Sequence, residues 1–225
     1  MKFGTESELV KQLIAVSQCI PDTQYWRTPR LATEFDSSFG RADLILYNLK
    51  SDWQGALGLG NISPQWAYAL RLLPYRRAFS FDDFSKLTCA TKKRGFSVLE
   101  QFVELGYCDR VKNEDRWIKV VQPRVIVNEI FAVEAKLRDW RRALSQAFRY
   151  REYANQSWVV LDTTHSKPAL SNITRFERLN IGLGSIDKNG SFSVHFKPKR
   201  LEPQSLYRFW QVNAQIASQL IVPCH

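Results

Sequence analysis

The sequence predicts an α/β fold in which a mixed sheet is flanked by helices and interrupted by a smaller block. Three observations predict it. Runs with a period of 2, at about residues 29–36, 41–48 and 126–136, alternate with longer helical patterns at 6–19 and 139–154. Between the second and third of these strands, residues 62–120 carry three helical patterns and then a hairpin. The chain has 225 residues and is 44% hydrophobic, enough for one large core with an insertion.

The elements follow in order. Leu9, Leu13 and Val16 give residues 6–19 an apolar face, and Thr5 with Glu8 three residues later forms a capping box. Residues 29–36 and 41–48 flank the polar turn Asp36-Ser37-Ser38-Phe39-Gly40 and read as a hairpin. Residues 51–61 contain Gly55, Gly58 and Gly60 and read as a linker; neither the dinucleotide fingerprint nor a P-loop fits their spacing. Pro64 opens a helix to about Leu73, Ser80 caps a second to about Cys89, and a third runs from Gly95 to Leu105 with Gly106 as its C-cap. A hairpin over 107–120, turning at 112–115, completes a block with the make-up of a winged helix-turn-helix module. A strand at 126–136, a helix at 139–154, a short apolar strand at 157–162 and a helix or loop at 171–179 come next. A hairpin turning at Lys188-Asn189-Gly190 and a final amphipathic helix at 205–220 close the chain. The domain reading is a core in two parts, residues 1–50 and 121–225, with the module at 62–120.

Composition narrows the function. The formal net charge is +10, which suits a polyanionic partner. No apolar run approaches the ~18 residues of a membrane span. The N-terminus lacks the apolar stretch of a signal peptide, so a cytoplasmic location is expected. Cys19, Cys89, Cys108 and Cys224 form no Cys-x-x-Cys pair, and His165, His195 and His225 are isolated. A zinc site is therefore not expected, and any catalytic metal would take oxygen ligands, as Mg²⁺ or Mn²⁺ does.

The most informative residues are Glu134-Ala135-Lys136, at the end of the apolar run Ile130-Phe131-Ala132-Val133. A carboxylate and an ammonium two apart on a strand point to one face. Asp43 lies in the similar strand Ala42-Asp43-Leu44-Ile45, where an acid is expensive to bury without a partner or a metal. Glu134 and Lys136 alone would equally suit a surface ion pair on an edge strand.

Taken with Gly40-Arg41-Ala42-Asp43 and Gln146-Ala147-Phe148-Arg149-Tyr150, these residues resemble the PD-(D/E)xK nuclease superfamily. Gln146 and Tyr150 are similar to the Gln-x-x-x-Tyr segment of its exonuclease-V-like branch. The resemblance covers the chain outside residues 51–120; it departs at Ala42, where the family name implies Pro, and in the long gap from Asp43 to Glu134. It implies a restriction-endonuclease-like fold: a mixed sheet core flanked by helices, here with the inserted winged helix-turn-helix module. It also implies that Asp43, Glu134 and the Ala135 carbonyl hold Mg²⁺ or Mn²⁺. Lys136 would orient or help deprotonate the attacking water, and Gln146 would lie nearest the site. Glu8 is a candidate extra acid, although capping explains it as well.

Basic residues supply the candidate nucleic-acid contacts. Between Lys136 and Arg151 there are six basic residues and one acidic one, and Arg142, Arg149 and Tyr150 fall on the expected outer side of the helix. In the module, Lys92, Lys93 and Arg94 precede the third helix, and Arg110, Lys112, Arg116 and Lys119 decorate the hairpin. The expected function is a metal-dependent nuclease hydrolysing phosphodiester bonds, most readily in duplex DNA. The alternatives are a non-catalytic DNA-binding protein on a degenerate nuclease core, and a subunit whose module recruits a protein partner or a second copy of the chain.

Overall fold

A computed structural model describes residues 2–221; Cys224 and His225 lie outside the described residues. The elements, in order, are α1 (Glu6–Ala15), β1 (Pro29–Asp36), β2 (Arg41–Leu49), α2 (Pro64–Leu72), β3 (Ala78–Ser80), α3 (Phe81–Thr88), α4 (Lys92–Glu104), β4 (Cys108–Arg110) and β5 (Arg116–Lys119). They continue with β6 (Val127–Lys136), α5 (Trp140–Tyr150), β7 (Gln156–Asp162), α6 (Lys167–Leu170), α7 (Ile173–Leu179), β8 (Gly182–Ile186), β9 (Phe192–Phe196) and α8 (Leu206–Ile221). The chain is an α/β protein and divides into two compact units.

The first unit comprises residues up to 51 and residues 127–205. Its six-stranded mixed sheet has the order β1-β2-β6-β7-β8-β9. The β1–β2, β2–β6 and β8–β9 pairs are antiparallel, and β6–β7 and β7–β8 are parallel. The parallel pairs follow from their connections, since α5 separates β6 from β7, and α6 and α7 separate β7 from β8. Side-chain alternation sorts the sheet into two faces. On one, Leu44, Leu46, Phe131, Val133, Trp158 and Val160 pack with Leu9 and Leu13 of α1. The other, which includes Glu134, is covered by α5 through Tyr150. Thr5 caps α1 by accepting from Glu8 N at 3.2 Å, and Asp139 caps α5 by accepting from Arg142 N at 3.0 Å. Both helices stop earlier than their patterns suggest: α1 gives way to a 3₁₀ turn at Ser17–Cys19, and α5 ends at Tyr150.

The second unit comprises residues 52–126 and the described residues from 206 onward. It contains α2, α3 and α4 with a three-stranded antiparallel sheet of order β3-β5-β4. Strand β3 has no counterpart in the sequence reading, because three residues are too few to show a period. Ser80 and Asp83 form a reciprocal capping box at the start of α3. Helix α8 belongs to this unit, whereas the sequence reading assigned residues 121–225 as a whole to the core. Trp210, Ala214 and Ala217 are buried, and Asn213 Oδ1 accepts from Ile126 N at 3.0 Å.

The expected linker is also structured. Residues Trp53–Asn61 form 3₁₀ turns that pack on α8, with Ala56 and Leu59 buried. Its glycines serve close approach: a Cβ on Gly60 would overlap the backbone of Ala217 and Ser218. Gly60→Ala is expected to destabilise the protein by roughly 2 kcal/mol, since backbone gives way less readily than side chain. Gly55→Ala, whose Cβ would meet only the Arg124 guanidinium, is expected to stay within about 0.5 kcal/mol. Equal unfolding midpoints for the two variants in urea would contradict this packing.

Candidate active site

The antiparallel β2–β6 register sets Leu44 opposite Val133 and Ile45 opposite Ala132. Continued by one residue toward the strand ends, it brings Asp43 to Glu134. The ladder stops there. Asp43 Oδ2 accepts from Ala135 N at 2.8 Å, so a side chain takes the place of the next strand carbonyl. Parallel pairing with β7 continues to Lys136, opposite Leu161.

Lys136 gathers the acids. Its Nζ lies 3.0 Å from Glu134 Oε1, 3.7 Å from Asp43 Oδ2 and 3.0 Å from Glu6 Oε2, and it donates to the Ala135 carbonyl at 3.3 Å. The Glu134 side chain is 1% exposed and those of Lys136 and Asp43 are 12% and 19%. At this burial unscreened charge dominates. Loss of water pushes the Asp43 carboxyl above its usual value, against the opposing pull of Ala135 N–H and Lys136. Glu134 is likewise raised, by burial and then by the Asp43 charge. For Lys136, burial opposes the charged form, but Asp43 and Glu134 outweigh it and raise the ammonium.

Tyr150 fixes Glu134 from behind. Its hydroxyl is 2.5 Å from Glu134 Oε2 and 2.7 Å from the Arg41 carbonyl oxygen. One hydroxyl proton serves one acceptor at a time, so the Glu134 carboxyl and the Arg41 carbonyl compete for it. The ring passes over Gly40, where φ is +149° and a Cβ would stand 3.2 Å from Tyr150 Cε1. The glycine in Gly40-Arg41-Ala42-Asp43 therefore makes room for the tyrosine that orients the acid.

The structure corrects two expectations here. Glu8 is not at the site: it accepts from Gly4 N at 2.9 Å and pairs with Lys188 at 3.5 Å. The acid on α1 that reaches Lys136 is Glu6. The signal was present, because Glu6 lies three and seven residues before the buried Leu9 and Leu13, on the helix face turned to the sheet, while Glu8 does not. Tyr150, expected as a nucleic-acid contact, is fully buried against Glu134. The sequence reading placed it on the outer side of the helix, yet it is buried, as is Tyr153 just beyond the end of α5.

Gln146 lies one turn before Tyr150 on α5, and its buried Oε1 has no hydrogen-bond partner. An unpaired buried acceptor costs about 1–3 kcal/mol, so this atom is one that a ligand or water would satisfy. Arg142 and Arg149 are exposed on the same helix.

In the second unit, Lys92, Lys93 and Lys112 are exposed, and none is within ion-pairing distance of a carboxylate among the described residues. The other candidates already have neighbours. Arg94 lies 5.2 Å over the Trp66 ring, Arg110 pairs with Asp115 and Glu100, and Arg116 pairs with Glu114. The thiols are structural or exposed: Cys19 and Cys89 reach the surface, and burial pushes the Cys108 thiol up to about 12.

Among the described residues no three His, Cys, Asp or Glu side chains form a ready ligating group. Asp43, Glu134 and the Ala135 carbonyl nonetheless make an all-oxygen donor set suited to a hard divalent cation. Two desolvated carboxylates with raised pKa values are a charge arrangement that such a cation relieves. Compared with family models, curated proteins and solved structures, the chain matches none.

The stability consequences have the same sign but fall in different pH windows. Asp43 and Glu134 titrate above their unfolded values, so the stability they contribute is present at low pH and lost as pH rises through their folded values. Lys136 is raised as well, so its contribution persists at neutral pH and is lost only as pH rises through its folded value. Lys136→Met is expected to cost about 3 kcal/mol near pH 7, and less near pH 4, where its acid partners take up protons. Glu134→Gln is expected to raise the Tm near pH 7 and to change it less near pH 4. A Lys136→Met cost that is equal at both pH values would show that the acids and the ammonium are not coupled.

Proposed function

We propose that the protein is a metal-dependent nuclease with a restriction-endonuclease-like core, and that residues 62–120 form a winged-helix module that binds duplex DNA. The observation that carries the reading is the convergence of Asp43 with Glu134 and Lys136, which are far from it in sequence, on one desolvated strand end. The connectivity of the second unit supports the module: helix, strand, two helices, then a hairpin, with β5 central in its sheet.

Asp43, Glu134 and the Ala135 carbonyl would hold Mg²⁺ or Mn²⁺, which supplies Lewis-acid polarisation of a phosphate oxygen and lowers the pKa of water. Lys136, with its pKa raised, stays an ammonium at neutral pH. As an ammonium it would orient water and offset charge on the phosphate. Tyr150 holds one oxygen of Glu134 and leaves Oε1 toward the cluster. Glu6 adds a third acid, with its side chain half exposed at the cluster edge. Gln146 offers its unpaired Oε1 to the water or to a substrate group. Among the described residues, Lys92, Lys93 and Lys112 of the second unit and Arg142 and Arg149 of α5 are exposed cations without an acid partner that would meet the duplex backbone.

A second reading, a non-catalytic DNA-binding protein on a degenerate nuclease core, is favoured by one observation: Lys136 engages every acid of the cluster. Metal dependence separates the two. With linear and circular duplex, Mg²⁺ or Mn²⁺ is expected to give cutting that chelator abolishes. Asp43→Asn and Lys136→Met are expected to lower the rate by about 10²–10³-fold while DNA binding persists. Tight binding with no cutting under either metal would select the second reading, and cutting unaffected by Asp43→Asn would end the first.

A further inference from the structure

The second unit carries a concentration of positive charge that its candidate DNA-contact residues do not include. From Trp53 to Phe81 there is no Asp or Glu, yet Arg71, Arg76 and Arg77 fall in this stretch. All three are exposed, and none has a carboxylate within ion-pairing distance among the described residues. The contrast within the unit is marked, since Arg110, Arg116 and Arg124 each pair with an acid. Unpaired guanidiniums are retained here where neighbouring ones are neutralised.

The turn that bears them is held in shape. Tyr75 bridges to Lys119, and Arg76 N donates to the Lys119 carbonyl at 2.9 Å. Arg76 takes a left-handed φ of +56°, which costs a non-glycine residue about 1 kcal/mol or more. Its guanidinium lies 5.1 Å over the Tyr75 ring, which is 44% exposed. Behind the turn, the buried Lys119 ammonium donates to the Leu70 and Arg71 carbonyls at 3.1 Å and adds positive charge to this side. The turn meets β5 at Lys119, at the opposite end of that strand from the 112–115 hairpin turn that bears Lys112.

We propose that residues 71–77 are a second nucleic-acid contact, in which Arg71, Arg76 and Arg77 bind backbone phosphates and Tyr75 stacks on an unpaired base. Guanidinium forks match phosphate oxygens, and an exposed aromatic accepts any base on its face, so the fitting ligand is a single-stranded tail beside a duplex. A rigid turn loses little entropy on binding, which gives the strained Arg76 conformation a use. This inference rests on the reading of the chain as a nucleic-acid-binding protein, but it does not need the chain to cut.

The test is fluorescence anisotropy with the whole protein in chelator, using a blunt duplex and the same duplex carrying a single-stranded tail. The wild type is expected to bind the tailed duplex more tightly. Tyr75→Ala is expected to lose about 10-fold in affinity for the tailed duplex and to leave blunt binding unchanged. Arg76→Gln with Arg77→Gln is expected to lower tailed affinity and to flatten the slope of log K against log salt by about 1.4. Circular dichroism melts check that the variants fold. Equal wild-type affinity for both duplexes, or variants that bind the tail as the wild type does, would overturn the proposal. So would a loss by the arginine variant confined to vesicles of anionic phospholipid. Tail binding without metal-dependent cutting would leave this proposal standing and remove the nuclease reading, and no binding to either duplex would remove both DNA proposals.

Discussion

Two carboxylates share a buried strand end because one ammonium stands between them. Asp43 and Glu134 belong to neighbouring antiparallel strands, and in water their proximity would matter little. Here burial raises both carboxyls, and the Asp43 charge raises Glu134 further. Lys136 offsets that cost, and the same acids hold it protonated. The remaining contacts serve this balance: Asp43 satisfies Ala135 N–H where the ladder stops, Tyr150 steadies Glu134, and Gly40 clears space for Tyr150. Such a cluster stabilises the fold poorly, since apolar residues of similar volume would cost less to bury. Its electrostatic expense is what motivates the proposed catalytic role.

The second unit distributes charge differently. Around its hairpin, arginines are matched to acids at the surface, where each pair is worth little and is readily exchanged for a phosphate. Among the described residues, Lys92 and Lys93 at the start of α4, Lys112 in the hairpin turn, and the arginines of the 71–77 turn have no acid partner. A positive surface built in this way keeps its potential in a few places and does not spread it over the whole unit.

Much of the core was legible because it rests on period. The alternation in 41–48 and 126–136 gave the strands, and the apolar stripe of α1 gave its buried face. Capping chemistry located the starts of α1 and α3 to within a residue. Short or context-dependent features were not legible. Strand β3 has three residues and no period. The 53–61 segment has the glycine content of a linker, but its glycines let a helix approach. Tyr150 carries a hydroxyl, which reads as an outer residue until a buried carboxylate is found to need it.

The sequence by itself determined the order and type of most elements, the excess of basic residues and the three residues at the centre of the candidate site, because these depend on local periodicity and side-chain chemistry. Tertiary structure alone decided that Glu6 and not Glu8 meets Lys136, that Tyr150 faces inward, that α8 packs with residues 52–126, and that Arg71, Arg76 and Arg77 have no acid partner among the described residues. Each of these depends on which groups are brought together from far along the chain, and both the cost of burying a charge and the worth of a partner are set by that neighbourhood.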